Sequence, residues 1–225
     1  MNIMKKRRFG LGLALIAGLA LSACGTEKNP ALEYFKTQAN LKKAPDGAAP
    51  APIAQQMVGM LAATSAPVEF INIEKRESQG LLVGIERNGP YYSYGSAARQ
   101  GMVLRSGMIT ATRGLGGDLM SSEEDALLRA VQARQPGSAS YQLRFLTPED
   151  LTRTLNFTCS VTPGGRQIIK AGEIDSAGIT MTADCKGEGV TFTNTYVVDP
   201  QGTILAGRQW LGFEIGYVGN QALRR

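Results

Sequence analysis

The chain has 225 residues, 24 Lys and Arg against 19 Asp and Glu, a formal net charge of +5 and 43% hydrophobic residues. That hydrophobic content excludes a wholly disordered chain, and the length fits one domain with or without a tethering arm. The absence of histidine excludes Ser-His-Asp and Cys-His catalysis, His-ligated metals and a histidine pH switch.

Lys5, Lys6, Arg7 and Arg8 carry four of the positive charges, and residues 1–23 contain no acid. Without that segment the balance is 20 (24 − 4) against 19, or +1. The excess charge therefore argues for export rather than for a nucleic-acid partner. Phe9 to Ala20 is apolar but shorter than the roughly 20 residues that a spanning helix needs. Residues 1–23 are thus expected to be a cleaved signal peptide. Leu21-Ser22-Ala23-Cys24 resembles the bacterial lipobox, which makes Cys24 the expected lipid-attachment residue and the first of the mature chain. Three acyl chains would anchor it stably. Gly25, where an Asp would signal retention, favours the outer membrane, with the domain facing the periplasm.

Residues 24–67 hold five of the ten prolines, and Ala44 to Pro52 is low in complexity, as in a tether. Two short helices are expected within it. One spans about 30–41. The other spans about 53–63, with Ile53, Met57, Met60 and Leu61 on one face, packed against the domain.

From 68 to 225 the pattern is that of a single all-β domain. Val190, Phe192, Tyr196 and Val198 alternate with threonines, and Tyr141, Leu143 and Phe145 with polar residues. Turns are expected at Asn88-Gly89-Pro90, Arg105-Ser106-Gly107, Pro163-Gly164-Gly165, Lys186-Gly187-Glu188-Gly189 and Asp199-Pro200-Gln201-Gly202. The expected fold is an antiparallel meander, strongly curved or closed into a β-barrel-like domain to hide its edges. Ser121 and Ser122, followed by three acids and by Leu127, Leu128 and Val131, predict a serine-capped helix that ends at Pro136-Gly137.

Cys159 and Cys185 remain once Cys24 is used. Each falls on the apolar face of its own alternating run, 151–161 and 179–185. An even pair in an oxidising compartment predicts a disulfide. No metal or cofactor is expected.

Two further constellations stand out. Arg113, Gly114, Gly116, Gly117 and Asp118 form a glycine-rich loop without the Lys-Ser/Thr of a phosphate cradle, so no nucleotide is expected. Its first reading is a tight strand-to-helix turn fixed by Arg113 and Asp118; its second is a contact with a ligand or partner. Trp210 alternates with Leu211, Phe213, Ile215 and Tyr217, which places it on the opposite face, either packed by the N-terminal arm or covering an end of the barrel, or stacking on a sugar or partner side chain. Tyr91, Tyr92 and Tyr94 are read as core and edge residues of a strand. Glu123, Glu124 and Asp125 are read as charges at a helix start.

The run from Leu104 to Met120, with Thr112-Arg113-Gly114-Leu115-Gly116-Gly117-Asp118-Leu119 at its heart, resembles the signature of the YjbF/GfcB family of group 4 capsule polysaccharide lipoproteins. Asn194 to Asp199, Gly202, Ile204 and Gln209-Trp210 are similar to its C-terminal pattern, as are the lipobox and the two strand cysteines. The resemblance covers about 68–217 and leaves the Ala/Pro-rich arm outside. It implies a barrel-like domain anchored in the outer membrane among other exopolysaccharide-export components, and supplies no biochemical activity. The reading is a non-enzymatic accessory lipoprotein that binds a partner protein or the polymer. The alternatives are a polysaccharide hydrolase or lyase, which needs facing acids, and a carrier of an apolar ligand, which needs an apolar cavity.

Overall fold

The computed structural model describes residues 52–147 and 151–225. The expected signal peptide, Cys24 and the helix expected at 30–41 lie outside these residues.

Short alternating runs and glycine-bearing turns produce twelve strands: β1 (Val68–Ile73), β2 (Ser78–Asn88), β3 (Tyr91–Gly95), β4 (Gly101–Arg105), β5 (Met108–Arg113), β6 (Leu119–Glu123), β7 (Gly137–Leu146), β8 (Thr152–Ala171), β9 (Ile174–Gly187), β10 (Val190–Val198), β11 (Ile204–Trp210) and β12 (Tyr217–Arg224). They form one antiparallel sheet in the order β5-β4-β3-β2-β1-β12-β11-β10-β9-β8-β7-β6. The expected curved all-β fold is therefore present, as a nearly closed barrel. Its closure comes from pairing the first strand with the last, Val68 opposite Arg224 through Ile73 opposite Val218. The two sheet edges, β5 and β6, are consecutive in the chain and lie against each other.

One apolar cluster fills the interior, drawing Ile71, Leu82, Met102, Ile109, Tyr141, Phe157, Met181, Tyr196 and Trp210 from across the sheet. Helix α1 (Ile53–Ala63) lies outside the barrel, with Ile53, Met57, Met60 and Leu61 against Val68, Leu81 and Leu223, as its apolar spacing predicts. Helix α2 (Asp125–Ala133) inserts Leu127, Leu128 and Val131 into the interior cluster. Burial of side chains of this size contributes roughly 1.5–3 kcal/mol each.

Two local expectations are corrected. Ser121 and Ser122 do not cap α2. They belong to β6, opposite Arg144 and Leu143 of β7, so strand pairing claims them. The helix instead starts at Asp125 without a side-chain cap, and the Ser122 hydroxyl donates to Glu124 Oε2 at 2.8 Å. Pro163-Gly164-Gly165 is not a turn but a bulge inside the 20-residue β8, where the extra residue re-aims the strand. Lys186 to Gly189 does form the β9–β10 turn, with positive φ at Glu188 and Gly189. Within the β8–β9 hairpin, Cys159 stands directly opposite Cys185 and the expected disulfide joins them.

The seam at β5 needs partners for its backbone. Gln209 of β11, wholly buried, provides them. Its Oε1 accepts from Ile109 N at 2.7 Å and its Nε2 donates to Ile109 O at 3.2 Å. The carboxamide thus does for Ile109 what a neighbouring strand would do.

Candidate functional site

The glycine loop joins β5 to β6, strand to strand rather than strand to helix, and closes one end of the seam. Gly114, Gly116 and Gly117 all have positive φ, at 73°, 71° and 78°. The Asp118 carboxylate ties the loop together, accepting from Gly114 N at 2.8 Å and from Leu115 N and Thr112 Oγ1 at 3.0 Å each. Thr112 Oγ1 also accepts from Leu119 N at 3.0 Å, and Arg113 Nη1 donates to Thr112 O and Leu119 O. These side chains bridge β5 and β6 where the ladder does not. Arg76, from the turn between β1 and β2, donates to the carbonyls of Leu115 and Gly116. The residues of the motif are thus spent on holding the loop and the seam.

Strand β11 ends at Trp210, so the alternation expected through Tyr217 stops there. Leu211 N donates to Gly216 O and Gly216 N to Gly212 O, turning the chain back. The reading that set Trp210 on the opposite face from the core is corrected. The residue is 8% exposed, with its ring stacked on Phe192 at 4.7 Å and edge-on to Phe157 and Phe213. Leu211 and Ile215 are buried, whereas Phe213 is carried out to 50% exposure. Glycines 212 and 216, both at positive φ, were the sequence signal for this turn.

The two loops meet. A Cβ on Gly117 would lie 2.3 Å from Glu214 Cβ. Beside that contact is a cleft of about 270 Å³ lined by Gly117, Phe145, Leu146, Arg153, Phe213 and Glu214 among others. The Arg153 guanidinium lies 5.5 Å from the centroid of the Phe213 ring. Lys75 Nζ holds the Phe213 carbonyl at 2.9 Å. Leu146, the last residue of β7, and Leu151, just before β8, are 49% and 66% exposed. Of the residues singled out in the sequence, Gly117 lines this cleft. Arg113, Gly114, Gly116 and Asp118 support the loop, and Trp210 lies beneath Phe213. Arg153 is in phase with Cys159, and Phe213 with Leu211 and Ile215, so alternation alone does not mark either as a surface residue.

A second cavity, of about 280 Å³, opens at the other end of the barrel, among the β2–β3, β4–β5 and β10–β11 turns. Glu69, Arg87, Tyr92, Tyr94, Ile204 and Arg225 are among its lining residues. Glu69 shares the inward face of β1 with Ile71 and Ile73 and is 4% exposed. Its Oε2 accepts one hydrogen bond from Asn220 Nδ2, at 3.4 Å, and no ion pair reaches it among the described residues. Burial pushes its carboxyl up to about 8, against the smaller lowering effects of the Asn220 hydrogen bond and the Arg225 charge. The Tyr94 phenol is raised by burial first and by the nearby Glu69 charge second. An acid at alternate spacing with two isoleucines was the sequence signal for this site. Of the tyrosine cluster, Tyr94 is core and Tyr92 packs against the core, as read. Tyr91 donates to Glu124 Oε1 at 3.0 Å, an oxygen that also accepts from Arg105.

A model of the family described as group 4 capsule polysaccharide lipoprotein gfcB, YjbF, matches residues 38–223. The match begins inside the Ala/Pro-rich arm, which the motifs alone had left outside. Among solved structures, the crystal structure of the hypothetical lipoprotein YmcC from Escherichia coli K12 is similar, with a TM-score of 0.65 at 14% identity, over 77% of this chain and 89% of that one. At that identity the likeness concerns the fold. No curated protein matches the sequence.

Proposed function

The chain belongs to the group 4 capsule polysaccharide lipoprotein family, and from that premise we propose that it is a non-enzymatic accessory factor in capsule or exopolysaccharide assembly or secretion. It is held by acyl chains on Cys24 at the periplasmic face of the outer membrane and works by binding the polymer or a partner protein of the export machinery. The basic residues 5–8, the short apolar stretch and Leu21-Ser22-Ala23-Cys24 support the anchor. The observation that carries the binding role is the cleft where Phe213, half exposed under the Arg153 guanidinium, meets the glycine loop. An exposed ring with a cation over it, set on a rigid loop, offers an apolar and charged contact at low entropic cost.

A hydrolase acting by two carboxylates needs them about 5–10 Å apart across the bond to be cut. The cleft is lined by one acid, Glu214, and the second cavity by one, Glu69. A carrier of apolar ligands needs an apolar hollow, and the barrel interior is occupied by its own side chains. Both alternatives are therefore less well supported than binding.

The test is genetic and quantitative. A deletion strain is expected to lose surface polysaccharide. Complementation with Phe213→Asp is expected to restore the protein level and melting temperature but not the polymer. Unchanged surface polysaccharide in the deletion strain would overturn the proposal.

A further inference from the structure

The cavity at Glu69 has features that stability alone does not account for. A carboxyl buried on the inward face of a strand, with one long hydrogen bond and no ion pair among the described residues, is costly compared with an apolar side chain of the same size. Its wall presents Tyr92 and Tyr94, whose rings lie 5.0 Å apart and tilted by 44°. Such faces take the C–H surface of a pyranose ring. At the lip, Arg87 uses Nε on Gly89 O, and Arg225 uses Nη1 on Asp199 Oδ2 at 2.8 Å. Each guanidinium keeps further N–H donors of the five it carries, and these suit a carboxylate. The volume of about 280 Å³ is near the small end of ligand pockets and suits one sugar-sized group.

We propose that this cavity binds a single sugar residue bearing a carboxylate, a uronate-type unit of a glycan, an assignment that rests on the polymer-binding form of the function proposed above. Tyr92, packed against the buried Tyr94, receives the ring face, Arg87 and Arg225 take the carboxylate, and Glu69 meets a hydroxyl at the base. With its proton on, Glu69 both donates and accepts there and does not repel an acidic ligand. Its ionisation, as pH rises through about 8, adds a negative charge at the base of the site. Asn220 hydrogen-bonds Glu69, the Arg225 charge and the Tyr94 phenol interact with it, and Arg87, Tyr92, Ser106 and Thr203 line the same cavity.

The full chain, purified in detergent, is titrated with methyl glucuronide and with methyl glucoside by calorimetry or NMR. Glucuronide is expected to bind and glucoside to bind at least about tenfold more weakly, the equivalent of one charge-assisted hydrogen bond. Glucuronide affinity should fall as pH rises through 8. Glu69→Gln should keep binding below neutral pH and abolish that fall. Arg87→Gln should weaken glucuronide about tenfold and leave glucoside unchanged. Melting curves on each variant establish that it is folded. Absence of binding to both sugars, equal binding of the two, or folded variants that bind as the natural protein does would each overturn the site. Loss of polymer in the deletion strain without glucuronide binding would overturn the site while the accessory function stands. Glucuronide binding with normal polymer in that strain would uphold the site and overturn the function.

Discussion

Replacing Gln209 with Leu would strip Ile109 of both backbone hydrogen bonds that the carboxamide makes. Each buried group left without a partner costs about 1–3 kcal/mol, so urea unfolding should show a loss of roughly 2–5 kcal/mol. Glu69 makes the opposite point, that a native residue can hold stability down. Its folded-state carboxyl sits at about 8 and its ordinary value is 4.5. A raised carboxyl gives its full contribution below the unfolded value and loses it as pH climbs through the folded one. Melting temperature should therefore fall between about pH 5 and pH 8, and Glu69→Gln should remove that part of the slope. A slope unchanged in the variant would assign it to other groups. The residues that sequence reasoning located best are those whose chemistry is local. Asp118 was legible because a carboxylate beside three glycines has nearby backbone donors to collect. Trp210 was not, because its direction depends on where β11 ends, and the following turn decides that.

Among the elements, the glycine loop and the 211–216 turn form one joint, and the glycines there are not equivalent. Gly116 and Gly117 both sit at positive φ, which strains any other residue by about 1–3 kcal/mol. A Cβ on Gly116 would find its nearest neighbour, Arg76 Nη2, at 3.5 Å, whereas one on Gly117 would collide with Glu214. Gly116→Ala should thus lower the melting temperature modestly. Gly117→Ala should lower it further and also deform the cleft, displacing Phe213 and changing the environment of the single tryptophan. Equal effects on melting and on tryptophan fluorescence would show the two loops to be independent. The β8–β9 hairpin is stapled by Cys159–Cys185, residues 26 apart in sequence. In the chain-entropy model such a bond contributes about 3–4 kcal/mol. Reduction, or replacement of both by Ser, should lower the melting temperature by roughly 6–15 °C for a domain of this size. Period-two patterning sufficed to place both cysteines on inward faces, because the ladder from Thr158 to Pro163 around them is regular and keeps its phase. It did not reveal the bulge at Pro163–Arg166, where Pro-Gly-Gly serves a bend inside a strand as readily as a turn between two.

At the scale of the whole molecule, antiparallel curvature was legible because alternating runs recur with turn signals between them. The closure itself was not. Nothing in β1 or β12 taken alone declares that Val68 pairs with Arg224, since register between distant strands is a property of the assembled sheet. Nor did the motif run announce that it lies along a seam, although the seam explains why Thr112, Arg113, Asp118 and Gln209 are all polar and all committed to backbone partners. The pairing of β1 with β12 also sets the order in which the domain can be made. A chain synthesised from its N-terminus delivers β1 first of the twelve strands and its partner β12 last. Contacts so far apart in sequence form slowly, because the intervening chain must be ordered before they are gained. Until β12 arrives, β1 presents its outer edge with no partner, a template for pairing with other chains. The interval between the two, rather than the strength of any finished contact, is where this barrel is most exposed to aggregation.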